Sequence, residues 1–299
     1  MTSSLLLQHF INSISLGSMY ALIAIGYTMV YGIIRLINFA HGDIIMLAAY
    51  FTFFGVELFS LPWGISALLS IVLTMLSGVA IEKVAYNPLR KRNSPRITLL
   101  ISAVGVSYFL ENIAIVVFGG RSKRFYVPEA LTHVIKTESL SIPVLSFIIP
   151  VVTVIILAGL VYLVNYTVVG MSMRACAKDI NTAKLMGIDV DRVVSFTFAI
   201  GSALAAIGGI MWATKYPQIQ PLIGLMPGLK CFIAAVVGGI GNIPGAVLGG
   251  FLLGISEIML VALMPALSGY RDAFAFVILI LILLFKPTGI LGEKIAEKV

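Results

Sequence analysis

Long apolar runs separated by short polar stretches dominate the chain. A helix needs about 20 mostly apolar residues to cross a bilayer, and several stretches of the sequence meet this requirement. They cover residues 9–31, 38–60, 63–85, 97–118, 144–166, 193–214, 228–264 and 271–286. The pattern therefore predicts an all-α, polytopic membrane protein.

The stretch 228–264 is too long for one crossing, and glycines and a proline interrupt it between residues 238 and 245. We expect a short leg at about 228–241 and a full helix at about 244–264, which cross the bilayer twice or re-enter it. This gives about 8–9 transmembrane segments in total. Too few residues remain for a separate soluble domain, so residues 1–299 are expected to form a single transmembrane domain.

The composition supports this class of protein. Hydrophobic residues make up 60% of the chain and charged residues only 11%, whereas soluble domains carry about 45–50% and about 25%. An ordinary soluble enzyme, a disordered chain and a disulfide scaffold are thereby excluded. The net charge of +7 is attributed to basic loops beside the anionic cytoplasmic leaflet rather than to nucleic-acid binding.

Two loops rich in Lys and Arg indicate the orientation. Residues 86–96 and 167–192 both carry clustered basic residues, and the positive-inside rule places them in the cytoplasm. Counting crossings from them puts the N-terminus outside and the C-terminus in the cytoplasm. The loop 119–143 is then outside, although it also carries several basic residues.

Polar or helix-breaking residues interrupt the apolar pattern at 34–43 and at 238–245. Irregular backbone at membrane depth is tolerated only where protein or a cavity surrounds it, and paired interrupted helices often mark a transporter's pathway. We therefore expect the two segments to approach each other near the inner side and help form a gate. Short connecting turns remain the alternative for both. The candidate gate residues are Asn38, His41, Gly241, Asn242 and Gly245.

Two carboxylates, Glu111 and Glu257, lie within apolar segments. An ionisable residue in this position is a functional candidate by default. The alternative is a protonated or internally paired carboxyl that fixes the packing of helices.

The cytoplasmic loop 170–192 has the local sequence of a short capped helix. Asp179 is a suitable N-cap, Ile180 to Met186 make about two turns, and Gly187 suits the position after the helix. Such a helix could dock into a partner's cleft, or it could lie on the membrane surface. The candidate coupling residues are Asp179, Ala183, Leu185, Met186 and Gly187.

Motifs for catalysis are absent from the sequence. It has no G-x-x-x-x-G-K-[ST] loop for nucleotide phosphates, and H-E-x-x-H, G-x-S-x-G and C-x-x-C do not occur. Two cysteines, Cys176 and Cys231, do not make a metal site. We expect no enzyme activity, no cofactor and no metal.

Several segments, in order along nearly the whole chain, resemble LivH-type permeases of branched-chain amino acid ABC transporters. The first is INFAHGDIIMLAAY at 37–50, and the cytoplasmic loop with the next helix contributes GMSMRACAKDINTAKLMGIDVDRVVSFTFAIGSALAAIGG at 170–209. The last two are GLKCFIAAVVGGIGNIPGAVLGG at 228–250 and YRDAFAFVILILILLFKPTGILG at 270–292. The resemblance also covers the central region at 87–119.

This resemblance implies a permease of the bacterial inner membrane that forms the translocation pathway with a second, related permease. Two cytoplasmic ATP-binding subunits drive such a pair, and a periplasmic binding protein delivers Leu, Ile or Val. Related permeases for urea or short amides share much of the pattern, so they remain an alternative. A channel or secondary transporter that acts alone, and a structural subunit of a membrane complex, are the competing classes.

Overall fold

The computed structural model describes residues 3–137 and 140–292, and helices dominate it. The helices are α1 Ser3–Ile34, α2 His41–Glu57, α3 Trp63–Ile81, α4 Asn87–Lys91, α5 Arg96–Phe118, α6 Glu129–Thr132, α7 Leu145–Tyr166, α8 Val168–Lys178, α9 Ile180–Leu185, α10 Val190–Lys215, α11 Leu225–Gly238, α12 Ile243–Leu263 and α13 Arg271–Phe285. A π-helical turn, Glu82–Tyr86, joins α3 to α4, and a 3₁₀ turn, Pro265–Tyr270, precedes α13.

Within the described ranges, seven helical stretches are long and apolar enough to span a membrane. They contain α1, α3 with its extension to Lys91, α5, α7, α10, α12 and α13. The broken stretch predicted near 228–264 is present as α11 and α12, with the break at residues 239–242. Helices α2 and α11 have only 17 and 14 residues, so the expected count of 8–9 full spans is not confirmed.

Some helices lie inside the bundle and others lie at its surface. Helices α1 and α10 are largely buried, as is most of α2, whereas α5, α7 and α13 expose most of their residues. A membrane protein has no need to hide apolar side chains from lipid, so its outer helices are apolar on all sides. The buried helices instead carry the small and polar residues that permit close packing.

Glycines allow α1 and α12 to cross at close range. A Cβ atom at Gly17 would lie 2.9 Å from the Cα atom of Phe251, and Gly250 and Gly254 pack against the backbone of Ala21 and Gly17. Small residues spaced four apart let helix backbones approach in this way. The contact joins the first helix of the chain to one near its end.

Helix α2 begins inside the membrane-spanning bundle. The side chain of His41, its first residue, lies against Gly26, eight residues before the end of α1. At about 1.5 Å per residue, α2 starts roughly 12 Å from the Ile34 end of α1. Residues 35–40 therefore run back into the bundle as non-helical backbone.

A small layer of strands and loops covers the end of the bundle where α1 begins. Strand β1, Lys123–Arg124, pairs antiparallel with β4, Gln218–Ile219, so that Lys123 lies opposite Ile219. Strands β2, Val134–Thr137, and β3, Leu140–Pro143, form a second antiparallel pair. Hydrogen bonds from Gln8 to the Ser141 carbonyl, 2.7 Å, and from Ser146 to Asn12, 2.9 Å, attach this layer to α1.

Candidate functional site

Both candidate polar residues of the first break are buried. The side-chain oxygen of Asn38 accepts a hydrogen bond from the Tyr86 hydroxyl at 2.8 Å, and the His41 ring lies 4.3 Å from the Tyr27 ring, centre to centre. Within the part of the chain that the structure describes, Asn38 Nδ2 and His41 Nε2 have no hydrogen-bond partner. Buried polar atoms without partners are uncommon in proteins. This break places two of them inside the bundle.

The beginnings of the two short helices meet beside this break. Gly42 in α2 lies against Gly224 and Gly228, where α11 begins. A cavity of about 50 Å³ adjoins them and includes Asp43 and the Phe232 ring in its wall. The positive ends of two helix dipoles thus point into the same interior region.

Asp43 of α2 and Glu111 of α5 lie along the same face of α5. The Asp43 carboxylate accepts a hydrogen bond of 2.6 Å from the Ser107 hydroxyl, and Glu111 follows Ser107 by one turn of α5. Glu111 is half-buried and lies near Asp43. Glu111 is therefore at the edge of the bundle and not at its centre.

The second break is held by a side-chain cap and by two glycines in the left-handed region. Gly239 and Gly241 have φ angles of 113° and 94°. Asn242 accepts a hydrogen bond from the Gly245 amide at 2.9 Å and donates to the Leu291 carbonyl at 3.0 Å. The amide group of one side chain therefore starts α12 and also holds the segment after α13 against the break.

The two breaks come close at one end only. Gly241 lies against Gly32, two residues before the first break begins. The other end of that break, at Gly42, lies where α11 begins, and the 14 residues of α11 separate it from Gly239 by roughly 21 Å. Helix α11 thus connects the region beside Gly42, at the end of the first break, to the second break.

Glu257 is at the centre of an ionic cluster, which we define as Tyr20, Lys230, Glu257, Arg271 and Asp272. Its carboxylate pairs with Lys230 at 2.8 Å and with Arg271 at 2.5 Å, and it accepts a hydrogen bond from the Tyr20 hydroxyl at 2.9 Å. Lys230 also pairs with Asp272 at 2.6 Å. The cluster is electrically balanced and joins α1, α11, α12 and α13.

Of the residues in this cluster, only Glu257 was predicted from the sequence to be functional. Lys230 stands near the start of an apolar stretch, and Arg271 and Asp272 stand at the start of another, where charged residues normally reach the membrane surface. In the structure the side chains of Lys230 and Glu257 are only 5% and 3% exposed. A lysine within an apolar run, with an acid elsewhere in the membrane, was the sequence feature that could have indicated the pair.

The loop between α7 and α10 contains the capped helix expected from its sequence. Asp179 accepts hydrogen bonds from the amides of Asn181 and Thr182, at 2.9 and 3.2 Å, and Gly187 has a φ angle of 81°. Helix α9 ends at Leu185, one residue before the expected end. Ala183 is buried beneath the helix, whereas Leu185 and Met186 are 87% and 78% exposed. The helix therefore presents an apolar tip on a rigid support.

Ion pairs beside α9 join the segment after α3 to the start of α10. Arg90 pairs with Asp191 at 2.6 Å and with the buried carboxylate of Glu82 at 3.4 Å. Glu82 also accepts a hydrogen bond from Ser195 at 2.7 Å. These contacts join the turn after α3 to the start of α10, which follows the loop that carries α9.

Comparison with known proteins shows full-length similarity to one group. The family model described as "Branched-chain amino acid transport system / permease component" matches residues 9–283. The chain is 42% identical to the high-affinity branched-chain amino acid transport system permease protein LivH of Salmonella typhimurium, over 98% of this chain and 97% of the relative. It is 44% identical to the permease protein BraD of Pseudomonas aeruginosa, over 98% of each chain.

A solved structure is similar in fold. The structure described as PsaBC from Streptococcus pneumoniae in complex with Fab superposes with a TM-score of 0.51, covering 95% of this chain and 92% of that one. The two sequences are only 12% identical, so this likeness concerns the fold alone.

Proposed function

Because the chain belongs to the branched-chain amino acid transport system permease family, we propose that it is the permease subunit of an ATP-driven importer of branched-chain amino acids. It is a multi-pass protein of the inner membrane, built as a single transmembrane domain over residues 1–299. Its partners would be a second related permease, two cytoplasmic ATP-binding subunits and a periplasmic amino-acid-binding protein.

One observation carries the proposal, namely identity of 42% and 44% along almost the entire length of LivH and BraD. The aligned regions cover 98% of this chain. The relatives are transport permeases and not enzymes, which agrees with the lack of catalytic motifs in this sequence.

Helix α9 would be the coupling element. Asp179 and Gly187 cap its two ends, and buried Ala183 anchors it to the bundle. The exposed tip at Leu185 and Met186 offers apolar side chains to a partner, and exposed apolar groups next to rigid polar surroundings are typical of an interaction site. Force applied to α9 would pass to α10 through the short connection at 186–189.

The orientation would place the start of α1 outside and the end of α13 in the cytoplasm. Segments assigned to the same side of the membrane lie together: the first turns of α1 contact residues 141–146, which are also assigned to the outside. At the opposite end, Ile34 shares a cavity with Ile180 of α9, and residues 290–291 bind the end of α11. Basic loops at that end support its placement in the cytoplasm.

The pathway would follow the inner ends of the two breaks. Asn38 and His41 would supply polar contacts, while Gly241, Asn242 and Gly245 form the turn beside the end of α1. Glu257 would hold α11 in place through its cluster. Glu111, beside Asp43, would tune the polarity at the start of α2.

Reconstitution tests the proposal directly. The purified permease pair with its ATP-binding subunits is placed in proteoliposomes, and uptake of labelled leucine, isoleucine and valine is measured with the binding protein and ATP. We expect ATP-dependent uptake, with no ATP hydrolysis by this chain alone. Uptake of urea or a short amide in place of these amino acids would overturn the substrate, and uptake by this chain alone without ATP would indicate a channel or secondary transporter.

The coupling role has a matched control within the chain. Leu185→Ser with Met186→Ser removes the exposed apolar tip of α9, and Leu263→Ser with Met264→Ser removes a similarly exposed Leu–Met pair at the end of α12. We expect the first pair of substitutions to uncouple hydrolysis from uptake and the second pair to leave both unchanged. Equal effects of the two pairs would contradict a docking role for α9.

A further inference from the structure

A large cavity lies beneath the strand layer, at the end of the bundle where α1 begins. Its volume is about 990 Å³, and its wall combines the ends of α1, α2, α7, α10 and α12 with the segment that follows β1. Ligand pockets typically measure about 300–1,000 Å³ and combine apolar walls with a few polar groups. This cavity is far larger than the one beside Asp43.

Lys215 is the chemically unusual residue of this cavity. It is the last residue of α10, it is half-buried, and its ammonium group donates a hydrogen bond of 2.9 Å to the Ser15 hydroxyl. Among residues 3–137 and 140–292, no carboxylate forms an ion pair with it. By contrast, Lys230 in the ionic cluster pairs with two carboxylates.

An ammonium group has three N–H donors, so one hydroxyl partner leaves Lys215 able to bind more. A partly desolvated charge without a counter-ion is energetically costly, and an anionic group that enters the cavity would relieve this cost. The negative end of the α10 dipole lies at the same place and stabilises a positive charge there. Lys215 is therefore suited to hold a carboxylate.

The rest of the cavity suits the remaining parts of an apolar amino acid. Phe125, Leu145 and Ile258 provide apolar surface, and the exposed rim carries the acids Glu57 and Glu129 together with the base Arg124. Carboxylates at the rim attract an ammonium group, whereas the lysine attracts a carboxylate. The arrangement thus offers separate surroundings for the two charges and for the side chain.

We propose that this cavity is an outer binding site for a free α-amino acid, with Lys215 as the group that binds the α-carboxylate. This inference rests on the proposed import function and names a place where the substrate stops before it reaches the two breaks. The inner wall of the site adjoins the ionic cluster, because the Tyr216 ring packs 4.9 Å from Trp212, which stacks on Tyr20 at 6.1 Å.

Direct binding measurements on the purified transporter complex without its binding protein test this inference. Labelled leucine is compared with leucinamide, which lacks the carboxylate, as a competitor. We expect leucine to bind and leucinamide to compete poorly. Lys215→Met should weaken leucine binding at least tenfold, Lys215→Arg should weaken it less, and Lys136→Met on the exposed strand β2 should leave it unchanged.

The results that would refute this binding site differ from the result that would refute the import function. Equal leucine binding by Lys215→Met and the unaltered complex would overturn the site, as would equal competition by leucinamide or no binding at millimolar leucine. The proposed function fails separately, if the complete system imports no branched-chain amino acid. Where Lys215→Met does not assemble, Ile258→Trp narrows the cavity and keeps the lysine, and normal leucine binding by that variant would also overturn the site.

Discussion

Replacing Glu257 by Gln should strongly destabilise the protein, because it removes the acid that two cations share. Lys230 and Arg271 both pair with this carboxylate, at 2.8 and 2.5 Å. Gln has nearly the same size, so packing is conserved and the change isolates the charge. Lys230 would retain Asp272 as its only carboxylate partner among the described residues.

The expected loss of stability follows from burial. Removing one partner of a buried ion pair costs about 3–5 kcal/mol, because the remaining charge cannot regain its hydration. The side chain of Arg271 is 39% exposed and can be hydrated, so Lys230 accounts for most of the loss. With roughly 2–4 °C in Tm per kcal/mol, Tm should fall by about 6–20 °C.

The two cysteines provide the assay. Cys176 and Cys231 are both buried, so a thiol-reactive fluorogenic dye reacts with the purified protein in detergent only as it unfolds. Asp189→Asn is the control, because its pair with Arg192 is exposed and Asn can still cap α10. Exposed pairs contribute less than about 1 kcal/mol, so this variant should retain nearly the original Tm.

A double variant tests the reasoning itself. Lys230→Met combined with Glu257→Gln removes one charge of each sign, and the loss should be smaller than the sum of the two single losses by about 1–3 kcal/mol. Strictly additive losses, or a Tm for Glu257→Gln equal to that of Asp189→Asn, would show that the cluster does not stabilise the bundle.

Three further predictions concern other parts of the chain. Gly187→Val places a β-branched residue at a φ angle of 81° and should lower the ratio of leucine uptake to ATP hydrolysis; an unchanged ratio would argue against α9 as the coupling element. Tyr86→Phe removes the hydroxyl that donates to buried Asn38, so the free energy of unfolding should fall by about 1–3 kcal/mol, measured as a lower Tm. Asn38→Leu should slow uptake without loss of the assembled complex. Single cysteines are introduced at Ser94 and at Thr132 in a chain without other cysteines, and cells with a permeable outer membrane are treated with an impermeant thiol reagent. We expect labelling at position 132 only. Labelling at position 94 alone would show that the orientation is the reverse of the one proposed.

Hydropathy was sufficient to locate the helices of the bundle. The stretch at 97–118 became α5, Arg96–Phe118, and the break within 228–264 lies between α11 and α12. The N-cap at Asp179 was also predictable, because a cap depends on residues two and three positions away. Helix α2 is shorter than the stretch 38–60, since Asn38 bonds to Tyr86 and stays outside the helix.

The contents of the bundle's interior were less predictable. The partners of Glu257 come from three other helices, and Lys230 is 27 residues away in sequence, so hydropathy along the chain carries no information about the contact. The same applies to Ser15 and Lys215, which are separated by 200 residues. Charged residues at the ends of apolar stretches look alike in sequence whether they reach water or turn inward.

The short central helix α2 has a consequence for how the chain is assembled during synthesis. Its 17 residues span about 26 Å, less than the roughly 30 Å hydrocarbon core, and its first turn carries His41 and Asp43. The partners of that turn come much later in the chain, namely Ser107 on α5 and Gly224 before α11. Until the ribosome has delivered them, the Asp43 carboxylate lacks its hydrogen-bond partner, while His41 can already pack against Tyr27 of α1. The polar end of α2 is therefore only partly satisfied while the translocon handles it. Insertion and folding therefore overlap for this helix, and the core of the protein closes only when its last third has been made.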